Sequence, residues 1–257
     1  MAYRSLAFNN DLIWRAPLPS AERELANALH DKIAALRPHL LDFLRLNEEA
    51  PHHALTLTEW SQPAMLSSLL ATWSDHIYRN QPGKPLLSLW AQWYIGLLVP
   101  PLMLALLSEE RALSLAPEHF RVEFHETGRA ARFWIEVHSA GASPEQSAQS
   151  RMEKLIATAL QPVVQALEAT GDINGKLIWS NTGYLINWYL GEMKTLLGDE
   201  KIAALRQHCF FEKQFSDGQD NPLWRTVVLR EGQLVRRTCC QRYRLPDVQQ
   251  CGDCTLK

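Results

Sequence analysis

Almost no net charge is carried by this 257-residue sequence: 26 lysines and arginines stand against 28 aspartates and glutamates, leaving −2 with histidine neutral. No one-signed field exists to draw in nucleic acid or an anionic membrane surface, and nucleic acid is not an expected partner. Residues Met1 to Asp11 lack an apolar stretch followed by a small-residue cleavage site, so the cytoplasm is the expected compartment. Neither G-x-G-x-x-G nor G-x-x-x-x-G-K-[ST] occurs, which removes the usual dinucleotide and nucleotide phosphate cradles. Cysteine is scarce as well, five in all, yet Cys239, Cys240, Cys251 and Cys254 fall within the last nineteen residues. Disulfides are rare in a reducing compartment, so this cluster points to metal binding or redox chemistry. Cys209 stands apart and is expected to be a buried, inert thiol.

What is present is enough for a substantial core, so folding does not depend on cysteine staples. Leu25, Leu29, Ile33, Leu36 and Leu40 recur at the spacing of one helix face, with Pro38 expected to kink or divide that helix. A second helix is expected from about Thr58 to His76, capped by Thr56 or Thr58. From Pro85 to Ser108 there is no charged side chain, a length able to cross a bilayer. Ser88, Gln92 and the helix-breaking Pro100-Pro101 argue instead for two buried helices meeting at the prolines, with a surface that binds a partner or makes loose peripheral contact with the inner membrane as the alternative role.

The period then falls to two. Phe120, Val122 and Phe124 alternate with Arg121, Glu123 and His125; after Glu126-Thr127-Gly128, Phe133, Ile135 and Val137 do the same. This predicts a β-hairpin with one buried face. A polar loop is expected from Ser139 to Ser150, and helical spacing returns through Leu155 to Leu167, with Pro162 inside it, and through Leu185 to Leu197. A second hairpin is expected at Thr226 to Thr238 around Glu231-Gly232, its outgoing strand delivering Cys239. The fold class is therefore α+β, mainly helical, with at least two β-hairpins that could form a small antiparallel sheet.

The tail reads Cys239-Cys240-(ten residues)-Cys251-Gly-Asp-Cys254. Cys-x-x-Cys lets a tight turn present two sulfurs to one centre, with Gly252 supplying backbone freedom, and this half is common to zinc and iron–sulfur sites. Adjacent cysteines would point to opposite faces of a continuing strand, a difficulty that a binuclear cluster tolerates better than one tetrahedral zinc. Spacing alone leaves iron–sulfur, structural zinc and a redox dithiol open, with the first favoured. Arg236, Arg237, Arg242 and Arg244 flank the first pair; they would stabilise an anionic cluster, favouring its reduced form, or dock an anionic electron donor, unless they only solvate the strand.

With these residues the chain resembles the FhuF family of ferric siderophore reductases. The resemblance rests on the Cys-Cys-x10-Cys-x-x-Cys tail and on SDHIYRNQP (Ser74 to Pro82), LWAQWYIGL (Leu89 to Leu97), KLIWSNTGYLINWYL (Lys176 to Leu190) and the segment from Asn221 onward. It implies a 2Fe-2S cluster on Cys239, Cys240, Cys251 and Cys254, and one-electron reduction of Fe(III) in hydroxamate siderophores to release Fe(II) in the cytoplasm. The organisation then expected is a siderophore-binding body over residues 1–220 and a cluster-binding region over 221–257. The chain has no dinucleotide site of the usual kind, so electrons are expected from a separate donor protein or reductant. The alternative is a zinc-folded module that binds an iron complex or a protein partner without redox chemistry.

Within that frame Trp90 and Trp93, together with Tyr94, are candidate siderophore contacts, against core packing in an apolar helix. Asn181 is a candidate substrate contact, against Ser180 or Asn181 serving as a helix N-cap. His119, His125 and His138, on one hairpin, are a candidate second metal site, against exposed strand histidines.

Overall fold

The computed structural model describes residues 20–77, 83–109, 114–138, 147–251 and 254–255. Leu25, Leu29 and Ile33 line the buried face of α1 (Ser20–Leu36). Pro38 disfavours a helical residue before it, so α1 stops and a 3-10 turn, Pro38–Asp42, begins. The chain then extends as β1 (Leu44–Leu46) and β2 (Leu55–Thr56). The single helix expected from Thr58 is two, α2 (Leu57–Trp60) and α3 (Pro63–Ile77), because Pro63 cannot donate to the preceding turn but suits the first position of a new one. Thr56 caps α2 with a reciprocal pair: its side chain accepts from the Glu59 N–H, and the Glu59 carboxylate accepts from the Thr56 N–H at 2.7 Å.

The uncharged run is one continuous helix, α4 (Lys84–Ser108), which passes through Pro100 and Pro101 rather than dividing there. The first hairpin follows as β3 (Phe120–Phe124) and β4 (Ala130–Ile135). Its turn closes on the core: Gly128 has φ +80°, a Cβ there would lie 2.2 Å from the Leu69 carbonyl oxygen, and the Trp90 indole donates to the Gly128 carbonyl at 2.9 Å. β1 joins β4 in parallel and β2 joins β3 antiparallel, giving a mixed sheet of order β1-β4-β3-β2.

Most of the loop expected at Ser139 to Ser150 lies outside the described residues; its end is already helical, with Ser147 capping α5 (Ala148–Lys154). A π-helical stretch, Leu155–Leu160, leads into α6 (Gln161–Glu168), and this widened turn lets the helical path continue past Pro162. Next come α7 (Gly175–Glu192), α8 (Lys194–Leu197) and α9 (Asp199–Phe211). Asn174 caps α7, accepting from the Lys176 N–H at 2.8 Å, so Ser180 and Asn181 are not caps but buried residues in the body of the helix. β5 (Val227–Arg230) and β6 (Gln233–Arg236) form the second hairpin as expected, but as a separate two-stranded sheet. The fold class is the α+β expected, and the parallel β1 makes the larger sheet mixed.

α4 is the centre of the molecule, with α1, α3, α5, α7 and β4 packed on it. A proline inside an exposed helix costs about 3 kcal/mol, whereas each large apolar side chain removed from water returns about 1.5–3 kcal/mol, and α4 buries almost every side chain from Leu86 to Leu107. Burial therefore outweighs the two prolines. Among the described residues α4 is the one helix long and apolar enough to cross a membrane, and the expectation of membrane contact rested on it; most of its apolar surface is covered by protein, with Trp93 left 40% exposed. Leu223, Val227 and Leu245 belong to the same core as the helices, so the tail is packed onto the body.

Candidate functional site

The second hairpin hands the chain to the cysteines, and the backbone turns at once. Gln241 is left-handed, with φ 61°, and a 3-10 turn, Arg242–Arg244, carries the chain to the buried Leu245. This break in the strand allows Cys239 and Cys240 to serve one site. Two side chains hold the turn in place: Ser88 of α4 donates from Oγ to the Cys240 carbonyl at 2.8 Å, and Ser180 of α7 accepts from the Thr238 N–H at 3.2 Å. At the second pair the Cys254 N–H donates to the Cys251 carbonyl at 3.2 Å. Gly252, expected to ease a tight turn there, lies outside the described residues.

The thiols are crowded. Cys239 lies beside Cys240 and within hydrogen-bonding reach of Cys254. Burial pushes its pKa up, the Gln241 N–H donated to its sulfur at 3.3 Å opposes this, and the neighbouring cysteines push it further. A cationic iron centre would offset that cost for Cys239 by taking it as a thiolate. Donors are in place for the resulting negative charge. Arg236 donates from Nη2 to the Cys251 sulfur at 3.1 Å, and Arg242, which lines the same cleft as Cys240 and Cys251, has a buried Nε with no partner among the described residues, so an acceptor such as sulfur suits it. Among the described residues no three His, Cys, Asp or Glu side chains are grouped as ligands of a single ion. Two pairs of thiols with surrounding donors fit a binuclear centre.

The four flanking arginines have three different surroundings. Arg236 is buried against Cys251, Arg242 is half-buried, and Arg237 and Arg244 are exposed. Beside them opens a cleft of about 360 Å³. Gln92 and Ile95 of α4 form one wall, Asn181, Tyr184 and Trp188 of α7 another, and Arg236, Cys240, Arg242 and Cys251 the third. Trp188 is 54% exposed, a large apolar surface left in solvent at this cleft. No carboxylate is among the described residues that line it.

Of the aromatic candidates, Trp90 is fully buried, stacked near Trp60, Tyr94 and Phe124, and Trp93 faces away to Arg129, whose guanidinium carbon is 4.8 Å from its ring centre. The cleft takes Asn181 from the named candidates and adds Gln92, Tyr184 and Trp188, which pattern reading missed. His119 and His138 do meet, with ring centres 4.2 Å apart, and His138 contacts Glu22 at 3.0 Å. Burial, then His138, pushes the His119 pKa down. His125 stays in the hairpin turn, bonded to Thr127 at 2.9 Å.

Four cysteine thiols provided with hydrogen-bond donors beside a cleft are surroundings that suit an iron–sulfur oxidoreductase. Residues 88–234 match the profile described as "Ferric iron reductase FhuF-like transporter", and residues 236–256 match "FhuF 2Fe-2S C-terminal domain". The sequence is also 66% identical over 262 aligned residues to the ferric siderophore reductase of Escherichia coli (strain K12), with both chains covered in full. The chain belongs to the FhuF family, whose members are ferric siderophore reductases carrying a 2Fe-2S cluster. The match to a 2Fe-2S domain replaces the zinc-folded module and the redox dithiol that spacing had left open.

Cys209 is remote from this site in its chemistry and surroundings. It is fully buried on α9, where burial, with Glu153 and Glu212 adding to it, pushes its thiol up to about 12. Cys209→Ala is expected to leave iron content and visible absorption unchanged while lowering stability by about 1 kcal/mol, the order of a small core truncation. Loss of the visible spectrum in this variant would show that the ligand set is drawn wrongly.

Proposed function

We propose that the protein reduces Fe(III) held by hydroxamate siderophores in one-electron steps, in the cytoplasm, and releases the metal as Fe(II). In this reading Cys239, Cys240, Cys251 and Cys254 hold the 2Fe-2S cluster in the region 221–257, and the body, residues 1–220, supplies most of the siderophore site. The observation that carries the reading is that Cys240 and Cys251 are themselves part of the cleft wall, so a ligand in the cleft lies against the cluster's residues. Bound there, the cluster supplies one electron at a potential set by charge, hydrogen bonds and exposure.

The remaining work falls to side chains. Asn181 and Gln92 offer amide donors to hydroxamate oxygens, and Trp188 and Tyr184 offer apolar faces to the ligand's backbone. Fe(III) is a hard cation gripped by anionic oxygens, whereas Fe(II) is held far more weakly by the same set, so adding one electron loosens the metal and the freed hydroxamates take up protons from water. No nucleophile or general acid is required of the protein. Exposed Arg237 and Arg244 lie next to the cysteines in sequence and form a cationic docking face for a separate, anionic electron donor.

The test is stoichiometric. Protein reduced with dithionite, freed of excess reductant under anaerobic conditions, is mixed with a ferric trihydroxamate and an Fe(II)-specific chromogenic chelator. The expected result is reoxidation of the cluster's visible absorption together with one Fe(II) chelate formed per electron lost. Reoxidation no faster than with the gallium(III) complex, which cannot accept an electron, would overturn the proposal.

A further inference from the structure

The Arg236 side chain is shared between the cysteine site and the cleft. It sits at the end of β6, only 5% exposed, and its guanidinium divides its donors. Nη2 donates to the Cys251 sulfur at 3.1 Å, and Nη1 donates to Asn181 Oδ1 at 3.1 Å. Its guanidinium carbon also lies 5.4 Å from the centre of the Tyr184 ring. The chain of hydrogen bonds continues: Asn181 Nδ2 donates to Ser88 Oγ at 3.1 Å, and Ser88 Oγ donates to the Cys240 carbonyl at 2.8 Å. One hydrogen-bonded path thus runs from Cys251 through Arg236, Asn181 and Ser88 to Cys240, and of its three inner members Arg236 and Asn181 line the cleft.

We propose that Arg236 is a positioning residue which raises the reduction potential of the cluster through Cys251 and, through its bond to Asn181, makes that potential respond to a siderophore in the cleft. The proposal rests on the reading that these cysteines hold the cluster and that the cleft takes the siderophore. A cationic donor on a thiolate favours the more negative, reduced state, so its presence raises the potential. Buried donors act at low local dielectric, where the effect of one hydrogen bond is greatest.

A ferric hydroxamate brings acceptor oxygens into reach of the same guanidinium and of Asn181. Each donor drawn toward those oxygens is donated less fully to Cys251, which lowers the potential and makes the reduced cluster a stronger reductant when its substrate is present. Reciprocity follows: the oxidised protein must bind the complex more tightly than the reduced protein, by the same factor. Binding is then linked to the direction of electron flow, since the donor becomes more reducing only with its acceptor in place.

The experiment is a spectroelectrochemical titration of cluster-loaded full-length protein, with and without a gallium(III) trihydroxamate as a redox-silent stand-in for the ferric complex. Equilibrium dialysis with gallium analysis reports binding separately. The wild-type potential is expected to fall on saturation with gallium complex. Arg236→Gln is expected to start at a lower potential and to show no further fall, and Arg236→Lys to recover part of the starting potential without the response. Asn181→Ala covers the case in which Arg236→Gln loses its cluster: it keeps the charge at Cys251 and is expected to keep a near wild-type starting potential while losing most of the gallium response. Equal potentials in wild type and both Arg236 variants, or an equal gallium response in wild type and Asn181→Ala, would overturn the inference. Gallium complex that fails to bind the wild type removes the docking reading, and the coupling with it, while the ligand-free potentials still decide whether Arg236 raises the potential.

Discussion

Cys251→Ser and Cys254→Ser are each expected to yield protein that is folded around α4 but nearly colourless, with iron content falling from that of a loaded 2Fe-2S domain to close to none. A serine hydroxyl ionises far less readily than a thiol and binds iron more weakly, so with the proposed ligand set each substitution would remove a ligand while hardly changing size. The reason for expecting an intact body is the position of the core. Its largest buried side chains, Trp60, Trp73, Trp90, Phe133 and Phe210 among them, lie on the helices and the first sheet, while among the described residues beyond β6 the buried apolar side chains are Leu245, Cys240 and Cys254. Far-ultraviolet circular dichroism should therefore keep its helical amplitude as the visible bands disappear. Retention of both bands and iron in either variant would mean that the centre is held by other residues.

How much of this site could be read from the residues depended on whether a signal was local. The two hairpins were legible because alternation over five or six residues needs no partner to be seen, and the Cys-x-x-Cys pair because its two cysteines are neighbours in sequence. β1, only Leu44 to Leu46, is too short to show a period, and its parallel pairing with β4 joins residues about ninety positions apart. The continuity of α4 was hidden by Pro100-Pro101, where a strong local rule loses to enclosure by five neighbouring elements. Ser180 and Asn181 looked like caps because small polar residues usually end helices; the true cap, Asn174, precedes a glycine and reads as a turn.

One signal was present but put to a different use. Ser88 and Gln92 counted against a membrane span simply as polar residues in an apolar run. In the folded chain they are polar points at which α4 meets the site: Ser88 is fully buried yet bonded to the Cys240 carbonyl and to Asn181, and Gln92, bonded to the Ser88 carbonyl at 3.0 Å, lines the cleft. A buried polar side chain in a helix that is otherwise apolar all round needs a partner. The identity of that partner is set by tertiary structure, and so is the sorting of the four arginines around the first cysteine pair into two that line the cleft, one of them buried, and two exposed charges.

Gly183→Ala is expected to destabilise the protein by about 1–3 kcal/mol and to weaken cluster retention as well, although alanine is the better helix former. In isolation the change inside α7 should stabilise by about 1 kcal/mol. Packing opposes it, because a Cβ at Gly183 would lie 2.1 Å from Thr226 Oγ1 and 2.8 Å from Thr226 Cβ, distances that require something to move. Thr226 is poorly placed to yield. It is buried, its hydroxyl donates to the Leu223 carbonyl at 2.7 Å, and its own carbonyl accepts from Ser180 Oγ at 3.3 Å and from the Arg237 N–H at 2.9 Å. Displacing it shifts the start of β5 and the strand that carries Arg236 and Cys239, so the disturbance reaches the thiols. Adding Thr226→Ala removes the closer of the two contacts and should restore part of the lost stability and iron. Chemical denaturation midpoints and iron per chain check both statements, and a Gly183→Ala protein more stable than wild type would show that α7 and the hairpin are less closely packed than the 2.1 Å approach requires.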